Sequence, residues 1–237
     1  MKKSILCIAV LLIVSTIQAQ KKVKGNGNVT SITRTTSDYD AVNFAGSFDY
    51  VLVAGTEGNI KIEGEENLLP YIITEVKKGT LIIKTENMVN INTTRNKSIK
   101  ITVPFEKISE ASLSGSGNLW NEDKINAEDF KVSLSGSGDA KLDITATSID
   151  ASVAGSGELE LKGTTNKLEV NVAGSGEFKG FDLAAADADV SVAGSGSADV
   201  VCKGHLKARV AGSGDIRYKG NPKSEDAKVA GSGSISN

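Results

Sequence analysis

The stretch "VNVAGSGEF", residues 170–178, alternates valine with a polar neighbour, breaks at Gly-Ser-Gly, and turns apolar again four places after the first glycine. A period of two puts Val170 and Val172 on one side of an extended chain and Asn171 on the other, so the segment reads as a strand with one buried face. Two glycines then let the chain bend sharply, through positive φ if needed, because they carry no Cβ.

The tripeptide begins at Gly115, Gly136, Gly155, Gly174, Gly194, Gly212 and Gly231, with steps of 21, 19, 19, 20, 18 and 19 residues. Two places before each stands Leu or Val, from Leu113 to Val229, and four places before stands Ala or Val, from Ala111 to Ala227. Four places after come Leu119, Ala140, Leu159, Phe178, Ala198, Ile216 and Ile235. Each repeat is therefore expected to be strand, bend, strand and a variable turn such as "KGTTNK" (162–167) or "KGNPKS" (219–224).

One such strand pair cannot bury its apolar face alone, and a period near 19 kept up through seven repeats is the mark of a solenoid. Stacked in register at about 4.8 Å per coil, the repeats predict an all-β, right-handed parallel β-helix. The left-handed form runs on six-residue units, and none is present. The stacked corners leave Ser116, Ser137, Ser156, Ser175, Ser195, Ser213 and Ser232 in a file, bonded along the stack or facing water. A phosphate-cradling loop would need a following helix and a Lys-Ser/Thr pair, which these tripeptides lack.

The first part of the chain uses the same grammar less evenly. "AVNFAGSFDYVLVAG" (41–55) holds a degenerate Ala-Gly-Ser at 45–47, and strands are expected over 59–63, 71–76, 80–84 and 97–103. "GEENLLPYI" (64–72) reads as a turn with a short irregular or helical piece, since Pro70 opposes a central strand. These residues form either larger coils capping the solenoid or a separate small β-sandwich.

The opening "MKKSILCIAVLLIVSTIQAQ" has two lysines, an apolar run over 5–17 and Ala19 at a cleavage position, which together predict a secretory leader over residues 1–19. That run is too short for a membrane anchor, and no later segment is apolar enough to serve. The division expected is a leader over 1–19, an N-terminal segment over 20–37, an irregular β part over 38–110 and regular repeats over 111–237. After the leader the chain carries 25 Lys and Arg against 29 Asp and Glu, with no clustered positive surface for nucleic acid. Cys202 is then the one cysteine, so no internal disulfide is available. Sequons begin at Asn28, Asn92 and Asn96.

"FAGSFDYVLVAGTEGNIKIEGEENLLPYIITEVKKGTLIIKT" (44–85), then "IKITVPFEKISEASLSGSGNL" (99–119), then the Gly-Ser-Gly series, resemble the head GIN domain family of putative auto-transporter adhesins. The resemblance runs over about residues 38–235. It implies an exported β-helical protein of the cell envelope, in the periplasm, at the outer surface or secreted, with an adhesive role. No ten-residue lipid-facing strands of a translocating barrel follow in the sequence, so self-transport is not expected.

The residues that bear chemistry lie just past the corners. Asp139, Glu158 and Glu177 occupy equivalent places in three consecutive repeats, Asp215 occupies a fourth, and Asn118, Ser197 and Ser234 fill the rest. Neighbours one coil apart stand about 5 Å from each other and next-neighbours about 10 Å, which brackets the two carboxylate spacings of glycoside hydrolysis. No long insertion walls a cleft around them, and a solvated ladder is the plain reading. Calcium is a further reading, as hard cations take oxygen ligands. The nonapeptide of calcium-binding β-rolls is absent.

His205 is the sole histidine, which excludes a zinc cluster, and Cys202 has no matched base. Trp120, Phe130, Phe178, Phe181 and Tyr218 form no regular file for stacking sugars. The sequence thus favours a non-enzymatic scaffold presenting polar faces to a glycan or surface protein, with no cofactor. A carbohydrate-active β-helix enzyme and a calcium-stabilised module are the alternatives. The edge left by "AKVAGSGSISN" (227–237) invites end-to-end pairing of two copies.

Overall fold

A computed structural model describes residues 20–237. The expected leader lies outside the described residues. From Glu110 onward the chain is a parallel β-solenoid whose repeats stack in register: Val153 faces Val172, and Val172 faces Val192. The first glycines of the corners form one continuous file, Gly46, Gly115, Gly136, Gly155, Gly174, Gly194, Gly212 and Gly231. The degenerate Ala-Gly-Ser therefore supplies an eighth corner, separated from the next by 69 residues of chain.

The two apolar columns flanking the corners are buried as the alternation requires. Leu113, Leu134, Val153, Val172, Val192 and Val210 are at most 3% exposed, and Leu119, Leu159, Phe178 and Ile216 are at most 1%. Each such side chain contributes about 1.5–3 kcal/mol relative to an exposed one. The column opens to solvent at Val229, which is 44% exposed.

Each coil also has a third buried stretch. Strands Asp139–Gly155, Glu158–Gly174 and Glu177–Gly194 run unbroken from one corner to the next. "KGTTNK" is therefore strand, not turn, and its Gly163 and Thr165 take the core places that Ile144 and Ala146 hold in the coil before. Thr165 is 6% exposed, with its hydroxyl 3.2 Å from the Thr147 carbonyl and 3.0 Å from that of Lys167. A glycine and a threonine in core places hide the alternation in the sequence. "KGNPKS" does interrupt the ladder, between strands Asp215–Lys219 and Ser224–Gly231.

The corners explain their own composition. The first glycine has φ between +107° and +133° in all seven tripeptides, a region costly for L-residues. A Cβ on Gly155 would stand 2.4 Å from the Gly136 oxygen, and one on Gly157 would stand 2.2 Å from the Gly138 oxygen. The close approach lets the serine N–H of each corner donate to the first-glycine carbonyl of the coil before, as in Ser137 to Gly115 at 2.9 Å and Ser156 to Gly136 at 2.8 Å. Every clash points toward the preceding coil. The first corner has none behind it, and there the second glycine is replaced by the buried Phe48. Phe44 and Tyr50 stack beside it at 4.2 Å between ring centroids, widening the base of the core.

Between Gly46 and Gly115 the chain builds an end layer. Strands Thr80–Thr85 and Lys100–Phe105 pair in parallel with Ala41–Gly46 and Asp49–Ala54. Antiparallel strands Ile72–Lys77, Asn59–Glu65 and Val29–Thr35 then extend the layer, and Lys21–Lys24 pairs with Val89–Asn92 in a separate two-stranded sheet. A short 3-10 helix, Leu69–Tyr71, carries Pro70, and Arg34 caps it by donating to the Leu69 carbonyl at 2.8 Å. This part shares one core with the coils, joining Ile60, Leu81 and Ile101 to Leu113, and is not a separate sandwich.

Glu65 ties the end layer together. It is fully buried, and it accepts from the N–H groups of Thr94 at 2.8 Å and Gly27 at 2.6 Å and from the Thr94 hydroxyl at 2.9 Å. Burial alone pushes its carboxyl upward. Those three donors, with the charge of Lys97, outweigh burial and hold it below the ordinary 4.5.

Gly155→Ala is expected to cost more than about 3 kcal/mol, because positive φ and a backbone clash add. Gly27→Ala, also at positive φ but with nothing within 4 Å of its Cβ, should cost only about 1–2 kcal/mol, and urea midpoints compare the two. The depressed carboxyl of Glu65 stabilises the fold fully above the unfolded value of 4.5, and that contribution is lost as pH falls through the lower folded value. Glu65→Gln should therefore be less stable than the parent at neutral pH, with a gap that narrows in acid, as read from urea midpoints across that range.

Candidate binding surface

Two outward rows flank the corner file. After the corners, register stacks Asp49, Asn118, Asp139, Glu158, Glu177, Ser197, Asp215 and Ser234. Asp139, Glu158 and Glu177 thus stand on adjacent coils, whereas Ser197 separates Asp215 from them. Asp49 joins at the other end. It was hidden in the sequence because its corner is degenerate and 69 residues from the next.

Before the corners, Ser112, Ser133, Ser152, Asn171 and Ser191 form a row of small polar groups. The seven corner serines between these rows are all exposed, and among the described residues none of their hydroxyls makes a side-chain hydrogen bond. They face water. The rows together make a ridge of hydroxyls, amides and carboxylates.

The carboxylates are held by their neighbours. Asn118 donates to Asp49 at 2.7 Å, the Glu158 N–H donates to Asp139 at 3.3 Å, and Ser234 donates to Asp215 through its N–H at 2.9 Å and its hydroxyl at 2.6 Å. Two places further along each strand runs a row of alternating charge, Lys141, Glu160, Lys179, Asp199 and Arg217. Lys179 sits 2.6 Å from Glu158 and 3.7 Å from Glu177, and Arg217 grips Asp199 with two contacts of 2.7 and 2.6 Å. The hydrogen bond from Lys179 to Glu158, with the charges of Glu177, Glu158 and Glu160, raises the Lys179 ammonium above its ordinary value against the opposing effect of burial.

Glu158 and Glu177 keep 37% and 36% of their side-chain surface exposed. A general acid needs a carboxyl taken out of water, and neither is enclosed. Among the described residues no three His, Cys, Asp or Glu side chains converge as a metal-ligand group.

His205 opens strand His205–Gly212, where its N–H donates to Asp187 at 2.7 Å and its imidazole meets the Ser224 hydroxyl. The carboxylate thus engages the backbone of His205, which differs from the relay of a Ser-His-Asp nucleophile. Cys202 is buried, which pushes its thiol upward, and its sulfur lies 3.3 Å from the His205 carbonyl. No helix among the described residues is long and apolar enough to cross a membrane.

The family described as "Putative auto-transporter adhesin, head GIN domain" matches residues 38–222. A "putative lipid binding protein" from Parabacteroides distasonis is 31% identical with a TM-score of 0.75, the match covering 91% of this chain and 99% of that one. A "putative adhesin" from Bacteroides fragilis has a TM-score of 0.83 at 20% identity, covering 91% and 99%. One from Parabacteroides merdae has 0.70 at 22% identity, covering 91% and 98%. These last two share the fold. No curated protein matches the chain.

Lys179→Met leaves Glu158 and Glu177 facing each other with no cation between them. The variant should melt lower than the parent in low salt and regain most of the loss in about 0.5 M NaCl, where repulsion is screened. The low-salt loss should stay within about 1 kcal/mol, as for other exposed pairs.

Proposed function

As the chain belongs to the head GIN domain family of putative auto-transporter adhesins, we propose that it is an exported binding protein of the cell envelope, acting without catalysis. The ridge beside the corner file is its contact surface, with Asp139, Glu158 and Glu177 as its centre and a glycan or surface protein as its partner. One observation carries the reading: register at the corners repeats a serine at every coil and puts a polar residue beside it, carboxylate on the three adjacent coils of Asp139, Glu158 and Glu177, at a spacing of about 4.8 Å. A partner with its own repeated polar groups then engages several coils at once, so weak single contacts add to a useful affinity.

The chemistry of the ridge supports this. Serine hydroxyls that face water lose little on exchanging it for a partner's hydroxyls. The relative named for lipid binding brings an apolar ligand to mind, yet the interior of these coils is filled by Leu142, Ile144, Leu159 and Phe178, and the outward rows are polar. Lys179 between two partly exposed carboxylates speaks against the enzymatic alternative, which needs one acid desolvated.

A glycan array probed with the protein, alongside a binding assay on whole cells, tests the proposal. Replacing Asp139→Asn, Glu158→Gln and Glu177→Gln together should abolish whichever binding is found while shifting the melting temperature by no more than about 4 °C, the scale of surface changes. Binding that survives the triple change would move the contact surface elsewhere.

A further inference from the structure

One coil of the stack is paired on a single side. Strand Ser224–Gly231 bonds to His205–Gly212 before it, Ser234–Ser236 bonds to Asp215–Lys219, and among the described residues neither has a strand on its other edge. All eight residues of Ser224–Gly231 are exposed. Val229 is 44% exposed, where Val210, one coil earlier in the same column, is 3%. An uncovered strand edge beside an unfinished apolar column is a template for a further strand.

Alternation along the strand decides which groups this edge offers. Ser224 donates its N–H back to the Gly204 carbonyl, and the Asp226 carbonyl accepts from Arg209 of the preceding coil at 2.6 Å. Even-numbered residues therefore pair backward, and the N–H and C=O groups of Glu225, Ala227 and Val229 face out from the edge.

The base of another copy does not match this surface. Its apolar side chains Ile60, Ile62, Leu68 and Leu69 are at most 2% exposed, so it brings no open layer to cover Val229. The same edge of a second copy does. With two such strands antiparallel about a two-fold axis at Ala227, the alanines exchange both backbone bonds, and Glu225 and Val229 pair likewise.

The charges select that register. It sets Asp226 opposite the partner's Lys228 on both sides of the axis, and Lys228 is exposed with no ion pair of its own among the described residues. An axis at Asp226 or at Lys228 would instead set like charges face to face. Glu225, in the column place of Leu206, accepts from the Tyr218 hydroxyl at 2.9 Å and so keeps a partner within its own chain.

We propose that two copies of this chain join through this edge, Ser224–Gly231 against Ser224–Gly231, antiparallel and centred on Ala227. The dimer continues the sheet from one rod into the next. It carries two ridges in one particle, which multiplies contacts with a repetitive partner. The pairing does not depend on the ridge being the contact surface, so either reading can fail without the other.

Sedimentation velocity over a concentration series tests it, and should show monomer passing to dimer and no further. Ala227→Pro removes the central outward N–H, a loss that an edge strand tolerates. That variant should stay monomeric, with the urea midpoint that the parent shows when dilute. Lys228→Glu should weaken the dimer about tenfold or more, since two opposite-charge pairs become like-charge pairs. On oxidation, Ala227→Cys should cross-link into a covalent dimer, its Cα atoms about 5.5 Å apart across the axis, whereas Lys228→Cys should not. A protein that is monomeric at every concentration overturns the proposal. So does a dimer that survives both Ala227→Pro and Lys228→Glu, assembly that grows past the dimer, or cross-linking through Lys228→Cys as fast as through Ala227→Cys.

Discussion

The hydrogen bond from a corner serine N–H to the glycine carbonyl one coil earlier governs the rest of the molecule. It forms because no Cβ stands between the two backbones, and both glycines of the tripeptide are needed to keep that space empty. Once it is made, the strand before each corner and the first three residues after it pair in register with the coil before, and irregularities come only beyond Glu160 and Lys179. Leucine and valine columns close inside, and serine, amide and carboxylate rows line up outside, so one backbone contact sets both the core and the surface.

Magnitudes separate what holds the fold from what decorates it. A buried column residue contributes about 1.5–3 kcal/mol, whereas an exposed ion pair such as that of Lys179 with Glu158 is worth at most about 1 kcal/mol. The charged rows therefore serve the surface more than the stability. By making pairs across coils they let carboxylates stand one above another without strong repulsion, which uncompensated like charges on adjacent strands would not allow.

The regular part was legible because its signals reinforce one another: Val170 and Val172 give the strand, Gly174 and Gly176 the bend, and the recurrence of both the stack. The third side escaped because Gly163 and Thr165 occupy core places, and a core glycine looks like a turn in sequence. The short helix at Pro70 and most of the expected N-terminal strands appear within two or three residues, yet their antiparallel pairing does not follow from any pattern in the sequence. Nor could Asp49 be assigned to the acidic row, since that needs the Gly46 to Gly115 register across 69 residues of intervening chain.

Phe48 has a consequence for how such chains change length. A bulky side chain is accepted at the second corner position only where no other corner lies behind it, so that residue marks the base of the stack, and every later coil presents the same glycine-lined underside to its predecessor. A unit of about 19 residues duplicated or deleted between two corners would meet the same interface above and below. Gene-level slippage could thus lengthen or shorten the rod by whole turns, altering reach while leaving the base untouched.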